Sequence, residues 1–285
     1  MVGHLALSAQ RATVHDRSVP TPDQAAAQKL LADSKRIVNL KLPDPTVETD
    51  AHTREAQNAV RAARASSTDA LEAGALLNRV GKLAQEKKVI GTWTAQAQDS
   101  LRAAILFAGA GLDRSLKSLV ETAIPRLIDH DDVVRKKFTE FAEVTLTDKT
   151  TQSINPGEFV RLFLQSGKNP EDVLRTRWVI ELTSGSAQSA ERVEELASAL
   201  GVTESTLRAR MKPNAKTRTA LQLAFDARNL VAHELDVTLP SEESRKPLER
   251  IRAVRKVQET ERHVSELLAV AQLVVNDVAV RLALK

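Results

Sequence analysis

An arginine, an asparagine and a histidine lie together in residues 226–235, and their side chains suit the handling of a phosphate group. Asn229 and His233 are four residues apart and Asp226 is seven before His233, so an α-helix places all three on one face. Arg228 lies roughly 140° around that helix from His233, a separation that its long side chain can span. A guanidinium binds phosphate oxygens through two parallel hydrogen bonds, and an imidazole transfers protons near neutral pH. These residue types predict a site for phosphoryl transfer.

The same stretch has the spacing of an amphipathic helix. Its apolar side chains recur on one side, at Leu221, Phe225, Leu230, Val231 and Leu235. This pattern predicts a helix over residues 221–235. A structural interpretation is also open, in which His233 is a surface histidine and Arg228 is the ion-pair partner of Asp226 or Glu234.

Arg228-Asn229, followed after three residues by His233, resembles the signature of the HEPN superfamily, in which four to six residues separate an arginine from the histidine that follows it. The resemblance covers about residues 97 to 285, and only the motif helix is specific. Many HEPN proteins are metal-independent endoribonucleases of toxin–antitoxin pairs or anti-phage defence. The resemblance therefore implies an endoribonuclease that needs no metal or other cofactor and has an antitoxin or a defence-system protein as a partner.

The resemblance also implies roles for individual residues. His233 is expected to be the general base on a ribose 2′-hydroxyl or the general acid on the leaving 5′-oxygen. Arg228 is expected to stabilise the charged transition state, and Asn229 to orient the imidazole or to bind phosphate. The expected products carry a 2′,3′-cyclic phosphate and a 5′-hydroxyl.

A homodimer follows from the count of histidines. In-line cleavage uses both a base and an acid, and one copy of the motif supplies one histidine, so two apposed motif helices would complete the site. Apposed Arg228 side chains need counter-charge, which Asp226, Glu234 and Asp236 are expected to supply.

Two further sets of charged residues are candidates for this site. Asp113 lies within an apolar stretch, where it either orients Arg228 or His233 or forms a surface edge with Arg114. Residues 205–256 contain twelve Lys and Arg against six Asp and Glu, a local excess that suits phosphate binding. Within it, the expected RNA contacts are Arg250, Arg252 and Arg255.

A second functional interpretation concerns the stretch that begins at Leu196 and ends at Arg210. Its amino-acid sequence resembles that of a helix-turn-helix, which would place Arg208 and Arg210 in a DNA major groove. The plainer alternative is a helical hairpin with Gly201 at its turn and Thr203 as a helix cap. A third alternative is a HEPN scaffold without catalytic activity.

Composition limits the class of protein. The chain has 285 residues with a net charge of +4, abundant alanine, few aromatic residues and no cysteine. Disulfides and thiolate metal sites are therefore excluded. No secretory signal and no apolar run of membrane-spanning length is evident, which predicts a cytoplasmic protein that does not span a membrane.

Apolar periodicity predicts an all-α protein, an antiparallel helical bundle with an N-terminal helical extension. We divide it into an N-terminal helical segment, 1–93, and a HEPN-like domain, 94–285. Single helices are predicted near residues 22–40, 49–88, 94–128, 131–144, 157–165, 170–183, 221–235 and 247–284, and the two-helix element occupies residues 191–211. Gly74 and the serines before it weaken the second of these, which could be two helices.

Overall fold

The computed structural model describes residues 22–35, 38–45, 50–86, 93–147, 157, 160, 169–211, 218–237 and 251–284. This part of the chain folds as an all-α bundle, which confirms the predicted fold class. Its named helices are α1 (Pro22–Lys35), α2 (Arg54–Glu86), α3 (Trp93–His130), α4 (Asp132–Thr147), α5 (Pro170–Ser184), α6 (Ala190–Ala199), α7 (Ser205–Met211), α8 (Ala220–Glu234) and α9 (Val257–Ala283).

Helix α3 is the centre of the bundle, because its side chains are apolar on most of its circumference. It packs against α2, α9, α8, α4, α5 and α6. Leu101, Ile105, Leu112, Leu116 and Leu119 are fully buried along it. One hydrophobic core extends from Leu40 to Leu282, so residues on both sides of the predicted boundary at residue 93 share it.

Helices α2 and α3 run antiparallel in close contact, because small residues face each other. A Cβ atom added at Gly111 would lie 2.1 Å from the Cβ of Ala63, and one at Gly74 would lie 2.9 Å from the Leu101 side chain. The buried Ser67 hydroxyl donates to the Ala104 carbonyl of α3 at 3.1 Å. These contacts explain why α2 continues through its serines and Gly74 as one helix.

Helix boundaries differ from prediction at two places. Helix α1 ends at Lys35 rather than near residue 40, and α9 begins at Val257 rather than at residue 247. Backbone groups of the segment before α9 pair with other elements: Ala253 N donates to Asp236 O at 2.7 Å, and Arg255 N donates to the Gln98 side chain at 2.6 Å. The helix predicted at 157–165 lies almost wholly outside the described residues.

None of the helices in the described ranges combines the length and the apolar character needed to cross a bilayer.

Candidate functional site

Helix α8 carries the motif, and its first turn is held by side chains at its N-terminus. The Thr219 hydroxyl accepts from Gln222 N at 3.1 Å, and the Gln222 side chain accepts from Thr219 N at 2.9 Å. This reciprocal capping satisfies two backbone donors that the helix itself leaves unpaired. The buried side of α8 faces α3 and α9 and consists of Leu221, Ala224, Phe225, Ala227 and Val231. The prediction of an amphipathic motif helix is therefore confirmed, except at Leu235, which follows the helix and is 67% exposed because its backbone turns away there in a left-handed conformation.

The Arg228 side chain lies across α3 at a glycine. A Cβ atom added at Gly109 would lie 3.2 Å from Arg228 Cγ and 3.5 Å from Nε, so the missing side chain makes room for the arginine. Arg228 Nη1 donates to Asn229 Oδ1 at 3.0 Å. Within the described ranges no carboxylate pairs with this half-buried guanidinium, which leaves its remaining donors available to an anion.

Asn229 uses both ends of its side-chain amide. Its Oδ1 accepts from Arg228, and its Nδ2 donates to the Gln188 carbonyl at 3.3 Å. Gln188 belongs to the connection between α5 and α6, residues 185–189. Asn229 therefore contacts Arg228 directly and attaches it to a neighbouring loop, and neither end of its amide bonds to the His233 imidazole that it was expected to orient.

His233 lies in the last turn of α8 with an exposed side chain. It forms no hydrogen bond with the other residues that the structure describes. Arg228 points toward α3, whereas His233 points to solvent roughly 140° away around the helix axis. One copy of the chain thus presents the two side chains on adjoining sides of one helix without a hydrogen bond between them.

Asp113 and Asp226, the two aspartates expected to support Arg228 or His233, both have other partners. Asp113 Oδ1 accepts from Ala187 N at 2.6 Å and from the Ser186 hydroxyl at 3.2 Å, and its other oxygen lies 3.2 Å from Lys117 Nζ. It therefore contacts neither Arg228 nor His233. Its neighbour in sequence, Arg114, is exposed and pairs with Glu55, so Asp113 and Arg114 both reach the surface but do not pair with each other.

Asp226 is exposed and lies 2.5 Å from Arg218 Nη1, an ion pair that sits beside a small cleft. The cleft has a volume of about 160 Å³, and its lining includes Ser189, Gln222, Asp226 and Asn229. Glu191 at its edge has a lowered pKa, chiefly because its carboxylate accepts from its own backbone N–H and from the Ser189 hydroxyl. The motif helix therefore has a small polar recess beside Asn229.

The C-terminus of α8 is held in an unusual backbone conformation. Leu235 and Asp236 have φ angles of 52° and 66°, a region that side chains other than glycine rarely adopt. Asp236 is fully buried, and its Oδ2 accepts from Arg102 Nε and from Arg255 Nε, each at 2.9 Å. Arg255 Nη2 also donates to Asp236 Oδ1. This buried cluster stabilises the turn that follows His233.

Burial by itself raises the pKa of the Asp236 carboxyl. Hydrogen bonds from Arg255 and then from Arg102 favour the charged form more strongly, so the pKa of Asp236 lies below its ordinary value. Asp236 is therefore ionised at neutral pH and has its partners within its own chain. The expectation that it supplies counter-charge at a dimer interface is wrong, because no surface of it is exposed.

The three arginines expected to contact RNA differ in their placement. Arg255 is buried, and its guanidinium faces Asp236 and the Ala227 carbonyl rather than solvent. Arg252 donates from Nε to the Leu235 carbonyl at 2.8 Å and lies 3.1 Å from Asp99. Arg250 lies outside the described residues. Arg252 and Arg255 thus stabilise the end of the motif helix.

The stretch from Leu196 to Arg210 forms two helices, α6 and α7, as the hairpin alternative and the helix-turn-helix alternative both require. Gly201 has a φ of 76° at the turn between them, as expected. The cap of α7 is Glu204 rather than Thr203, because the Glu204 carboxylate accepts from the backbone N–H groups of Thr206 and Leu207. Arg208 is exposed, and Arg210 pairs with Glu266 at 3.0 Å.

Sequence reasoning did not identify Gln188, Gly109 and Arg102 as parts of this site. The available signals were general: a glycine in a helix indicates a close neighbour, and an arginine in an apolar helix needs a partner. Neither signal identifies which residue lies against the glycine or which residue pairs with the arginine. In the described part of the chain, no group of three or more His, Asp or Glu side chains is arranged to hold a metal ion.

Comparison with known proteins found no family model, no curated protein and no solved structure that matches this chain.

Proposed function

We propose that this chain is a metal-independent endoribonuclease of the HEPN type. One observation carries the proposal: the half-buried Arg228 guanidinium, oriented by Asn229 and without a carboxylate partner among the described residues, lies on the same helix as the exposed His233. A guanidinium of this kind suits a phosphate, and an exposed imidazole suits proton transfer at the surface where RNA arrives.

The proposed reaction is an intramolecular transesterification of RNA. The ribose 2′-oxygen attacks the adjacent phosphorus as its proton passes to one imidazole, and the bond from phosphorus to the 5′-oxygen breaks as that oxygen takes a proton from a second imidazole. The products carry a 2′,3′-cyclic phosphate and a 5′-hydroxyl. Arg228 stabilises the additional negative charge on the phosphoryl oxygens in the transition state.

A second copy of the chain completes the site in this proposal. Each copy supplies one His233, and its exposed position at the end of α8 leaves it accessible to a partner helix. Glu234 is exposed on the same helix and remains as counter-charge for apposed arginines, whereas Asp226 is paired with Arg218 and Asp236 is buried. We place such an enzyme in the cytoplasm, as a toxin or anti-phage effector with an inhibitory or activating partner protein.

The DNA-binding alternative receives less support from the charges near α7. Residues 190–211 carry four acidic and three basic side chains, and Glu204 lies at the helix end that a recognition helix directs to the bases. Arg210 is already paired with Glu266. A negatively charged helix end disfavours close approach to a phosphate backbone.

The test is cleavage of single-stranded RNA in the presence of EDTA, with analysis of the product ends. His233→Ala should lower the rate at least about 100-fold, because it removes the proton-transfer group. His130→Ala is the matched control, because His130 is also exposed and lies about 30 Å along α3 from Gly109 by helix rise. Equal cleavage by wild type and His233→Ala, or activity that a divalent ion must restore, refutes the proposal.

A further inference from the structure

The connection between α5 and α6, residues 185–189, is attached to two helices at adjacent positions. On one side, Asp113 Oδ1 of α3 accepts from Ala187 N at 2.6 Å and from the Ser186 hydroxyl at 3.2 Å. On the other side, the Gln188 carbonyl accepts from Asn229 Nδ2 of α8 at 3.3 Å. The Gln188 carbonyl, which accepts from Asn229, is therefore one residue along the chain from the Ala187 N–H, which donates to Asp113.

The orientation of the Asn229 amide then decides which of its two ends, Oδ1 or Nδ2, faces the Arg228 guanidinium. With Nδ2 directed at Gln188, Oδ1 is directed at Arg228 Nη1, 3.0 Å away. The arginine stem rests on Gly109, which precedes Asp113 by four residues and so shares its face of α3. Asp113, the connection, Asn229 and Arg228 thus form a closed ring of contacts that begins and ends on one face of α3.

An ordinary surface ion pair does not account for Asp113. Its Oδ2 lies 3.2 Å from Lys117 Nζ, four residues along the same helix, which is a common pairing of small energetic effect. Its Oδ1 is used separately, for two donors of the connection. The two oxygens therefore have distinct partners, and substitutions can separate their effects.

We propose that Asp113 is a positioning residue for Arg228, acting through Ala187, Gln188 and Asn229. This inference rests on the proposed function for its effect on catalysis, while its structural part stands on the contacts alone. By accepting from Ala187 N and from the Ser186 hydroxyl, Asp113 holds the connection where the Gln188 carbonyl can accept from Asn229. The guanidinium is in this way oriented before a phosphate binds, which lowers the entropy lost in the transition state.

Three substitutions separate the two oxygens of Asp113. Asp113→Ala removes both sets of contacts and should lower kcat about tenfold, with KM within about twofold of wild type, because positioning affects the chemical step. Asp113→Asn keeps one oxygen as the acceptor for Ala187 N and should restore kcat to within about twofold. Lys117→Met removes only the surface ion pair and should leave kcat unchanged. A kcat that falls equally in Asp113→Asn and Lys117→Met overturns the proposal.

A double-mutant cycle tests the route from Asp113 to Arg228. Asn229→Ala removes the last link, so adding Asp113→Ala to it should lower kcat no further. If the two losses multiply, Asp113 acts by another route and the proposal is wrong. Thermal unfolding of each variant, and His233→Ala as a catalytic reference, distinguish this outcome from loss of the fold.

A spectroscopic readout distinguishes failure of this proposal from failure of the proposed function. The Nε–Hε signal of Arg228 in an NMR spectrum is identified by its absence in Arg228→Lys. In Asp113→Ala this signal should report faster rotation of the Arg228 guanidinium than in wild type. In Lys117→Met the rotation rate should be the same as in wild type. An unchanged signal in Asp113→Ala overturns the positioning role whatever the activity. A changed signal in a protein that cleaves no RNA refutes the endoribonuclease and supports the positioning role.

Discussion

Asp236→Asn should destabilise the protein strongly, because it removes the negative charge from a buried cluster. The Asp236 carboxylate is fully buried and accepts from Arg102 Nε and Arg255 Nε at 2.9 Å each, and from Arg255 Nη2. The side chains of the two arginines are only 4% and 9% exposed, so water does not replace the lost partner. An asparagine would keep one acceptor and direct an N–H₂ group at guanidinium donors. Loss of one member of a buried ion pair costs about 3–5 kcal/mol.

Urea unfolding followed by circular dichroism measures this loss as a free energy of unfolding, and thermal unfolding followed by the same signal gives the melting temperature. At about 2–4 °C per kcal/mol for a chain of this size, the melting temperature should fall by about 6–20 °C. Asp99→Asn is the matched control, since its carboxylate also lies 2.9 Å from Arg102 but its side chain is 60% exposed. That variant should lose no more than about 1 kcal/mol. If the two variants have the same free energy of unfolding, the cluster does not stabilise the end of α8, and our reasoning is refuted.

Three further predictions concern acid stability, the motif arginine and the composite site. The pKa of Asp236 is lower in the folded state than the ordinary value near 4. Its contribution to stability is therefore complete above about pH 5 and is lost as pH falls through the folded pKa. Urea unfolding from pH 7 to pH 3 should show this loss of stability, and Asp236→Asn should show a smaller loss. Arg228→Lys keeps the charge without the planar fork and should lower the RNA cleavage rate about 100-fold in single-turnover assays, and a rate within threefold of wild type contradicts the role of Arg228. Co-refolding wild type with a His233→Ala copy should lower activity with the square of the wild-type fraction, whereas a linear decrease shows that one copy is sufficient.

Much of the fold follows from local sequence alone. The recurrence of Leu101, Ile105, Ala108, Leu112 and Leu116 every three to four residues predicts α3, and those residues are its buried face. The break after Ser184, the left-handed turn at Gly201 and the amphipathic motif helix also follow from local chemistry. Each depends on residues within a few positions of one another, which is the range over which helix periodicity and capping act.

Boundaries were wrong where distant parts of the chain supply the partners. Ile251, Val254 and Val257 have helical apolar spacing. Between them, however, Arg255 N bonds to Gln98, 157 residues away, and Ala253 N bonds to Asp236. Those bonds satisfy the backbone outside a helix, so α9 begins only at Val257. Periodicity contains no information about such partners.

The residue types of the candidate site were present in the sequence, but tertiary structure decided their surroundings. The motif helix and the positions of its arginine and histidine along it follow from spacing alone. The contact of Arg228 with Gly109, the link from Asn229 through the α5–α6 connection to Asp113, and the burial of Asp236 between Arg102 and Arg255 do not. Arg102 and Asp236 are 134 residues apart, and a charge is stabilised by whichever groups packing brings to it, not by its neighbours in sequence.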